Sequence, residues 1–325
     1  MNCLCCGKPL RNLENENELQ TGWHAKCVKQ FFGTVSLPEI EITDEQLEAL
    51  AEETVGKGIT VPGVQKKLSL HLSRGVNPRL TLVDYPTGYI LKPQAEEYKA
   101  LPEAEYLIMQ MAEATGIRTV PYALVRTADS ANFAYITRRI DRFRAAGRLY
   151  PAKRAMEDFC QLDGRLTKDK YRGSYERCSK IITRYSSREY LDQTELFLRI
   201  VFSFVTGNSD MHLKNFSLIE TEEKSGEYVL SEAYDMLPVN IVLPEDDEQL
   251  ALTLNGKKRN LHRNDFLKFA ASCGITDSAA KKMILQITDM KEKYLTLCRE
   301  SYLPDDMKSS LAQLVEARIA DLLPQ

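Results

Sequence analysis

Leu68, Leu70 and Leu72 alternate with polar residues, the period-two pattern of a half-buried strand. Two more β-like runs, 79–83 and 89–91, flank Asp84-Tyr85-Pro86-Thr87-Gly88, which reads as a hairpin turn. The pattern then changes to a helical period over 102–115. Ala104, Leu107, Ile108, Met111 and Ala112 share one face there, Pro102 suits the first helical position, and Gly116 is a stop. An apolar helix is expected at 196–205. The short runs 216–220 and 228–230, joined by the polar turn 222–226, predict a hairpin. Helical periodicity returns over 277–299 and 304–323, and a helix at 44–55 has a capping box in Thr43 and Gln46. The basic stretch 143–154 reads as a loop facing substrate, and Pro244-Glu245-Asp246-Asp247-Glu248 as a solvated charge run.

Chemistry concentrates after the 196–205 helix, in Gly207-Asn208-Ser209-Asp210-Met211-His212-Leu213-Lys214-Asn215-Phe216, followed by Tyr234-Asp235. Phosphoryl transfer needs a carboxylate to orient a hydroxyl, an amide to hold a metal ion, and a second carboxylate to hold metal on the phosphates. Asp210, Asn215 and Asp235 fit those jobs in that order, although Asp and Asn at such spacing also cap turns. Upstream, Lys92 ends an apolar strand, where a bare ammonium is costly. Glu105, on the next helix, can pair with it if helix and strands pack together. Taken singly, Lys92 reads as a snorkelling lysine and Glu105 as a first-turn acid. A lysine, a glutamate, D-x4-N and an Asp in the order used by protein kinases are harder to obtain by chance. The glycines in Val55-Gly56-Lys57-Gly58-Ile59-Thr60-Val61-Pro62-Gly63 suit close approach to phosphate, or form a plain loop. Neither G-x-x-x-x-G-K-[ST] nor G-x-G-x-x-G occurs.

With these residues in view the chain resembles the HipA-like serine/threonine kinases of bacterial toxin–antitoxin systems. The segments that carry the likeness are Val61-Pro62-Gly63-Val64-Gln65-Lys66-Lys67-Leu68, Tyr89-Ile90-Leu91-Lys92-Pro93, Pro102-Glu103-Ala104-Glu105-Tyr106 and Thr137-Arg138-Arg139-Ile140-Asp141-Arg142. Glu157-Asp158-Phe159-Cys160-Gln161, Lys170-Tyr171, residues 207–215 and Tyr234-Asp235 complete the set. The resemblance spans about residues 50–320. It implies an α+β, bilobal protein-kinase-like fold, with a small mixed N-lobe and a mainly helical C-lobe, that binds ATP and Mg²⁺. Carried over by position, Asp210 is the catalytic base, Asn215 and Asp235 bind Mg²⁺, Lys92 contacts phosphate, and Glu105 supports Lys92. Ile136, Thr137, Arg138 and Arg139 form a hinge whose backbone meets adenine, and Gly63 and His212 join the cofactor contacts. Glu157, Asp158 and Gln161 support the site or contact substrate.

Two departures from that family matter. Its members often carry a serine before G-x-Q whose phosphorylation switches the kinase off. Here Thr60 is the only hydroxyl between Val55 and Gly63, so autophosphorylation is expected on Thr60, against a reading of it as a β-branched residue entering a strand. A phosphate there adds about −1.5 to −2 charge. About 55 residues precede the glycine loop, where longer members have roughly a hundred. This points to the short, HipT-like branch, whose partners are a small HipS-like subdomain protein and a DNA-binding HipB-like antitoxin.

Cys3, Cys6, His24 and Cys27 stand as C-x2-C…H-x2-C, the spacing of a zinc ribbon or knuckle, with Cys5 as a competing thiol and Trp23 beside the pairs. They make a candidate structural Zn²⁺ site; the other reading is reduced thiols. Cys160, Cys178, Cys273 and Cys298 read as core or surface thiols. The expected divisions are a cysteine-rich head at 1–33, an N-lobe at 34–141 and a C-lobe at 142–325. Acidic and basic residues nearly balance, 46 against 43, so no field for direct nucleic-acid binding is implied. Eight cysteines without a signal peptide point to the reducing cytoplasm, and no apolar run approaches the ~18 residues of a membrane span. The leading expectation is an ATP-dependent Ser/Thr kinase toxin acting on a protein, by family precedent an aminoacyl-tRNA synthetase, to impose dormancy. The alternatives are a catalytically silent binding module acting through antitoxin partners, and a small-molecule kinase.

Overall fold

The computed structural model describes residues 1–10, 16–40, 67–73, 77–82, 88–127, 132–143 and 151–324. The expected helix at 44–55 with its Thr43–Gln46 box, the glycine loop with Thr60 and Gly63, the turn residues 84–87, and 144–150 of the basic loop lie outside them. The chain divides into two compact units, residues 1–106 with 120–152, and residues 107–119 with 153–325.

The first unit is built on a sheet whose strands are β1 (Glu39–Ile40), β2 (Leu68–Ser73), β3 (Arg79–Leu82), β4 (Tyr89–Lys92), β5 (Tyr122–Arg126) and β6 (Phe133–Arg138). Their order is β1-β3-β2-β4-β6-β5, and β1–β3 is the parallel pair. The alternation in β2 buries Leu70 and Leu72. The hairpin expected between β3 and β4 does not form. β2 lies between them and pairs antiparallel with both, Leu70 facing Leu82 on one side and Tyr89 on the other. A hairpin would make β3 and β4 antiparallel neighbours, but both run antiparallel to β2 and therefore parallel to each other; strand partners are chosen by burial. Leu70, Leu80 and Leu91 are each fully buried in this arrangement.

The next helix runs Leu101–Thr115, one residue ahead of Pro102, and ends at Gly116 with φ +91. Its predicted face, Ala104, Leu107, Ile108, Met111 and Ala112, is fully buried. Residues 101–106 belong to the first unit and 107–115 to the second.

Two-residue strands β7 (Arg142–Phe143) and β8 (Ala152–Lys153) precede the second unit's own sheet. That sheet has β10 (Ser217–Glu220) between β11 (Tyr228–Leu230) and β9 (Met156–Asp158), all antiparallel, with the expected hairpin in place. The apolar run at 196–205 is the end of a longer helix, Glu189–Val205, whose Leu196, Phe197, Ile200, Val201, Phe202, Phe204 and Val205 are fully buried. Two of its polar side chains pin the hairpin: Asp192 accepts from Leu230 N–H at 2.7 Å, and Arg199 donates to the Ser231 carbonyl at 2.7 Å. The 277–299 run is two helices, Asp277–Thr288 and Lys291–Glu300. No Gly or Pro punctuates residues 288–291, so apolar periodicity reads through the break. The last helix is Asp305–Leu322.

Gly207 ends the long helix with φ +68, and a Cβ there would lie 3.1 Å from Leu314 Cδ2. Left-handed backbone costs a side-chain-bearing residue about 1–2 kcal/mol, before any clash. Gly207→Ala is expected to lower unfolding free energy by at least that much, read as a fall in the urea midpoint at unchanged m-value.

Candidate functional site

In the first unit, Lys92 closes β4 and Glu105 stands in the first turns of the Leu101–Thr115 helix. Lys92 Nζ donates to both Glu105 carboxylate oxygens, at 2.6 and 2.7 Å. Both residues are almost wholly buried, 3% and 0% exposed, and the ammonium also lies 5.2 Å from the Tyr135 ring centre. This pairing removes the cost of a lone charge in the core.

Ile136, Thr137 and Arg138 are not placed to offer free backbone. They lie inside β6, paired with Leu91, Ile90 and Tyr89 of β4 on one edge, while Ile136 and Thr137 also face Ala123 and Tyr122 of β5. A central strand spends its peptide groups in the ladder. Arg139 is the first residue beyond it, and its N–H donates to Gly88 at 2.9 Å. Asp141, 5% exposed, holds Arg139 at 3.0 Å and Arg142 at 2.5 Å.

In the second unit, a loop after the Glu189–Val205 helix carries Asp210, His212 and Asn215. Asn208 Oδ1 accepts from Asp210 N–H at 3.2 Å, and Tyr175 donates to the Met211 carbonyl at 3.1 Å. Asn215 Nδ2 donates to the Asp210 carbonyl at 2.8 Å. Because that partner can only accept, the amide orientation is settled and Asn215 presents its oxygen the other way. Asn215 is 3% exposed, and an aimed carbonyl oxygen is the donor type hard cations take. His212, also buried, lies with Nε2 3.9 Å from Asp210 Oδ1.

The hairpin returns the chain to this loop. Tyr234 hydroxyl donates to the Lys214 carbonyl at 3.1 Å, so Ser217, 2.5 Å away, must be the donor to Tyr234. Asp235 follows with φ +60, left-handed backbone that is uncommon outside glycine, though Asp and Asn enter it more readily than other residues. Asp158 caps the short helix Phe159–Leu162 in a reciprocal box with Gln161, and its carboxylate takes Lys214 at 2.7 Å; Glu157 sits on β9, exposed, opposite Leu218.

Two contacts were not legible in the sequence. Tyr171, noted there only as half of a shared dipeptide, donates to Asp210 Oδ1 at 2.5 Å and stacks edge-on with His212. Burial, then the Asp210 charge, push its phenol up, which keeps it the donor. The acidic run is not wholly solvated: Asp246 accepts from Ser209 at 2.6 Å, and Asn240 bonds the Asp246 and Glu248 carbonyls. Spacing gives no sign of either, since the partners are 39 and 37 residues apart.

At the N-terminus, the ligand atoms of Cys3, Cys6, His24 and Cys27 lie within 4.8 Å of one another, a set that does not include Cys5. Burial, then the neighbouring Cys3 and Cys5 sulfurs, push the Cys27 thiol up. Cys160, Cys178, Cys273 and Cys298 are all buried.

Breaking a buried pair strands one charge, at about 3–5 kcal/mol. Lys92→Met alone is expected to destabilise by that amount in urea unfolding. Lys92→Met with Glu105→Leu should recover most of it, because neither charge is then left in the core.

The profile of the family described as HipA-like C-terminal domain matches residues 59–294. A Haemophilus influenzae protein named "Putative kinase" is 26% identical, covering 98% of this chain and 96% of its own. "Putative kinase Y4mE" of Sinorhizobium fredii is 26% identical over 81% of this chain and 65% of its own. Among solved structures, a chain of the Shewanella oneidensis MR-1 HipA–HipB–operator DNA complex superposes with TM-score 0.67 at 19% identity, over 80% of this chain and 64% of that one. Helicobacter pylori proinflammatory kinase CtkA superposes with TM-score 0.53 at 14% identity, over 78% and 93%. The chain thus spans under two thirds of the Sinorhizobium protein and of the Shewanella chain. At these identities the solved structures establish the fold, α+β, two-lobed and kinase-like. The profile match takes in well over half of the sequence, and the chain belongs to the HipA-like C-terminal domain family.

Proposed function

We propose that this protein is an ATP- and Mg²⁺-dependent serine/threonine-protein kinase, the toxin of a bacterial toxin–antitoxin system. The observation that carries the reading is the Asn215 amide, whose nitrogen is held by the Asp210 carbonyl so that its oxygen faces away from that bond, in the same loop as the Asp210 carboxylate. The family membership, and the kinase names of its relatives, supply the reaction class.

In this reading Lys92, oriented by Glu105, holds the α- and β-phosphates of ATP, with Gly63 and His212 as further contacts. Adenine meets the chain where β6 runs out, at Arg139 and beyond, rather than at Ile136 to Arg138. Asn215 and Asp235 hold Mg²⁺, which when bound spreads the charge building on the transferred phosphoryl group. Asp210 takes the proton of the acceptor hydroxyl as its oxygen bonds to the γ-phosphorus. The γ-phosphorus bond to the bridging oxygen breaks, and ADP leaves. Tyr171 fixes the Asp210 carboxylate, and Asp158 holds Lys214 beside Asn215. Thr60 is the autophosphorylated residue, and a HipS-like protein and a HipB-like antitoxin are the partners; the Shewanella HipA is itself in complex with HipB, which supports the second of these. The protein substrate is an aminoacyl-tRNA synthetase. The working divisions are a head at 1–33, an N-lobe at 34–141 and a C-lobe at 142–325, with Zn²⁺ as the metal of the head. Among the described residues no helix is long and apolar enough to cross a membrane, and the proposed location is the cytoplasm.

The test is incubation with ATP and Mg²⁺, read by intact mass and peptide mapping. Phosphate is expected on Thr60, and Asp210→Ala should lower its rate by about 10²–10⁴-fold, the worth of a general base. Bound ATP with no phosphate on this chain, its partners or a synthetase would leave the silent binding module standing instead. Tyr171→Phe is expected to slow transfer roughly tenfold with ATP affinity unchanged, the size of one hydrogen bond to a charged group.

A further inference from the structure

In the head, four side chains, Cys3, Cys6, His24 and Cys27, converge with a geometry that suits one metal ion. Zinc bonds of ~2.3 Å to sulfur and ~2.0–2.1 Å to nitrogen, set tetrahedrally, put neighbouring ligands roughly 3.5–3.8 Å apart. Cys6 Sγ and Cys27 Sγ lie 3.4 and 3.9 Å from His24 Nδ1. Two details orient the ligands. His24 Nε2 lies 3.3 Å from the Pro9 carbonyl; that oxygen can only accept, so Nε2 carries the proton and Nδ1 turns its lone pair to the sulfurs. The His24 N–H donates to Cys3 Sγ at 3.4 Å, a bond that favours the thiolate. The Cys3–Gly7 turn is closed by Gly7 N–H to the Cys3 carbonyl at 2.9 Å, with Gly7 at φ +68.

The same head touches the two elements that carry the buried ion pair. Tyr106, next to Glu105, shares its hydroxyl between the Cys3 and Cys5 carbonyls, each at 3.3 Å. Tyr89, on the Lys92 strand, donates to the Phe31 carbonyl at 3.2 Å, and its ring packs on Phe31 and Phe32. Leu124 N–H on β5 donates to the Leu4 carbonyl at 2.9 Å. Trp23, 1% exposed, packs on Phe31 and Phe32 inside the head.

We propose that Cys3, Cys6, His24 and Cys27 hold one structural Zn²⁺, and that the metal-closed head braces the strand and helix presenting Lys92 and Glu105. The metal site is independent of the kinase reading; the importance of what it braces rests on that reading. Without the ion, the Cys3–Gly7 turn and the His24 end of the Ala25–Phe31 helix lose their common anchor. The carbonyls offered to Tyr106 and Tyr89 then lose their fixed positions.

The full-length protein answers this in two measurements. Metal analysis should find about one zinc per chain, lost in the double variant Cys6→Ser with Cys27→Ser. Co²⁺ in its place should show the visible absorption of a tetrahedral thiolate site. Protein that neither retains nor takes up zinc overturns the metal site, and with it the brace. Amide hydrogen exchange then compares zinc-loaded and chelator-stripped chain. Stripping should speed exchange at least tenfold in peptides covering 89–92 and 101–106, leave 263–272 in the second unit unchanged, and shift the emission of Trp23, the only tryptophan. Loss of zinc with exchange at 89–92 and 101–106 unaltered overturns the brace. Failure of zinc-loaded chain to bind ATP would bear on the kinase reading alone, since none of these signals involves nucleotide.

Discussion

A lysine ammonium with almost no access to water is the constraint around which the first unit is arranged. At 3% exposure Lys92 can stay charged only against a partner, and Glu105 meets it with both oxygens. The pair fixes the helix Leu101–Thr115 on the strand β4 in one register, since a shift of one residue in either would leave two charges apart in an apolar core. Buried ion pairs add little net stability, because desolvation offsets attraction. Their effect is to make alternatives worse, and here the arrangement they select is the one that the phosphate-binding role proposed for Lys92 needs.

The second unit solves a related problem with neutral groups. Its loop must hold Asp210, His212 and Asn215 in non-repeating backbone, so peptide groups that a helix or sheet would satisfy need other partners. Asn208, Asn215, Tyr175 and Tyr234 supply them, each bonding a backbone group of the loop. Long-range ties then connect the loop to its surroundings: Tyr171 to Asp210, Asp158 to Lys214, and Asp246 to Ser209. Removing one partner leaves a polar group buried and unpaired, so the loop behaves as a unit.

What the sequence made legible was local. The helix Leu101–Thr115 was visible in its buried face and its Gly116 stop, and the hairpin β10–β11 in its polar turn. The order of Lys92, Glu105, Asp210, Asn215 and Asp235 is what suggests the proposed chemistry, and the likeness to HipA-like kinases named the family the profile match establishes. What stayed hidden was partner choice across distance. The turn at 84–88 suggested a hairpin, yet β2 took both edges because Leu70 is buried between β3 and β4. The family resemblance implied an adenine-contacting hinge at Ile136 to Arg139, and only the ladder shows that Ile136 to Arg138 lie within a paired strand. Tyr171 and Tyr106 matter through residues 39 and about a hundred positions away, and no periodicity encodes such a contact.

Asp235 sits at φ +60, where glycine would rest without strain. Its side chain therefore sits there at some cost in backbone energy, which the proposed metal-binding role of the carboxylate would justify. Glycine at 235 would ease the backbone and lose the carboxylate; asparagine, which also tolerates this region, would keep the shape and lose the charge. Under the metal-binding role proposed for Asp235, glycine at this one position is the change by which the loop would give up phosphoryl transfer while easing its backbone.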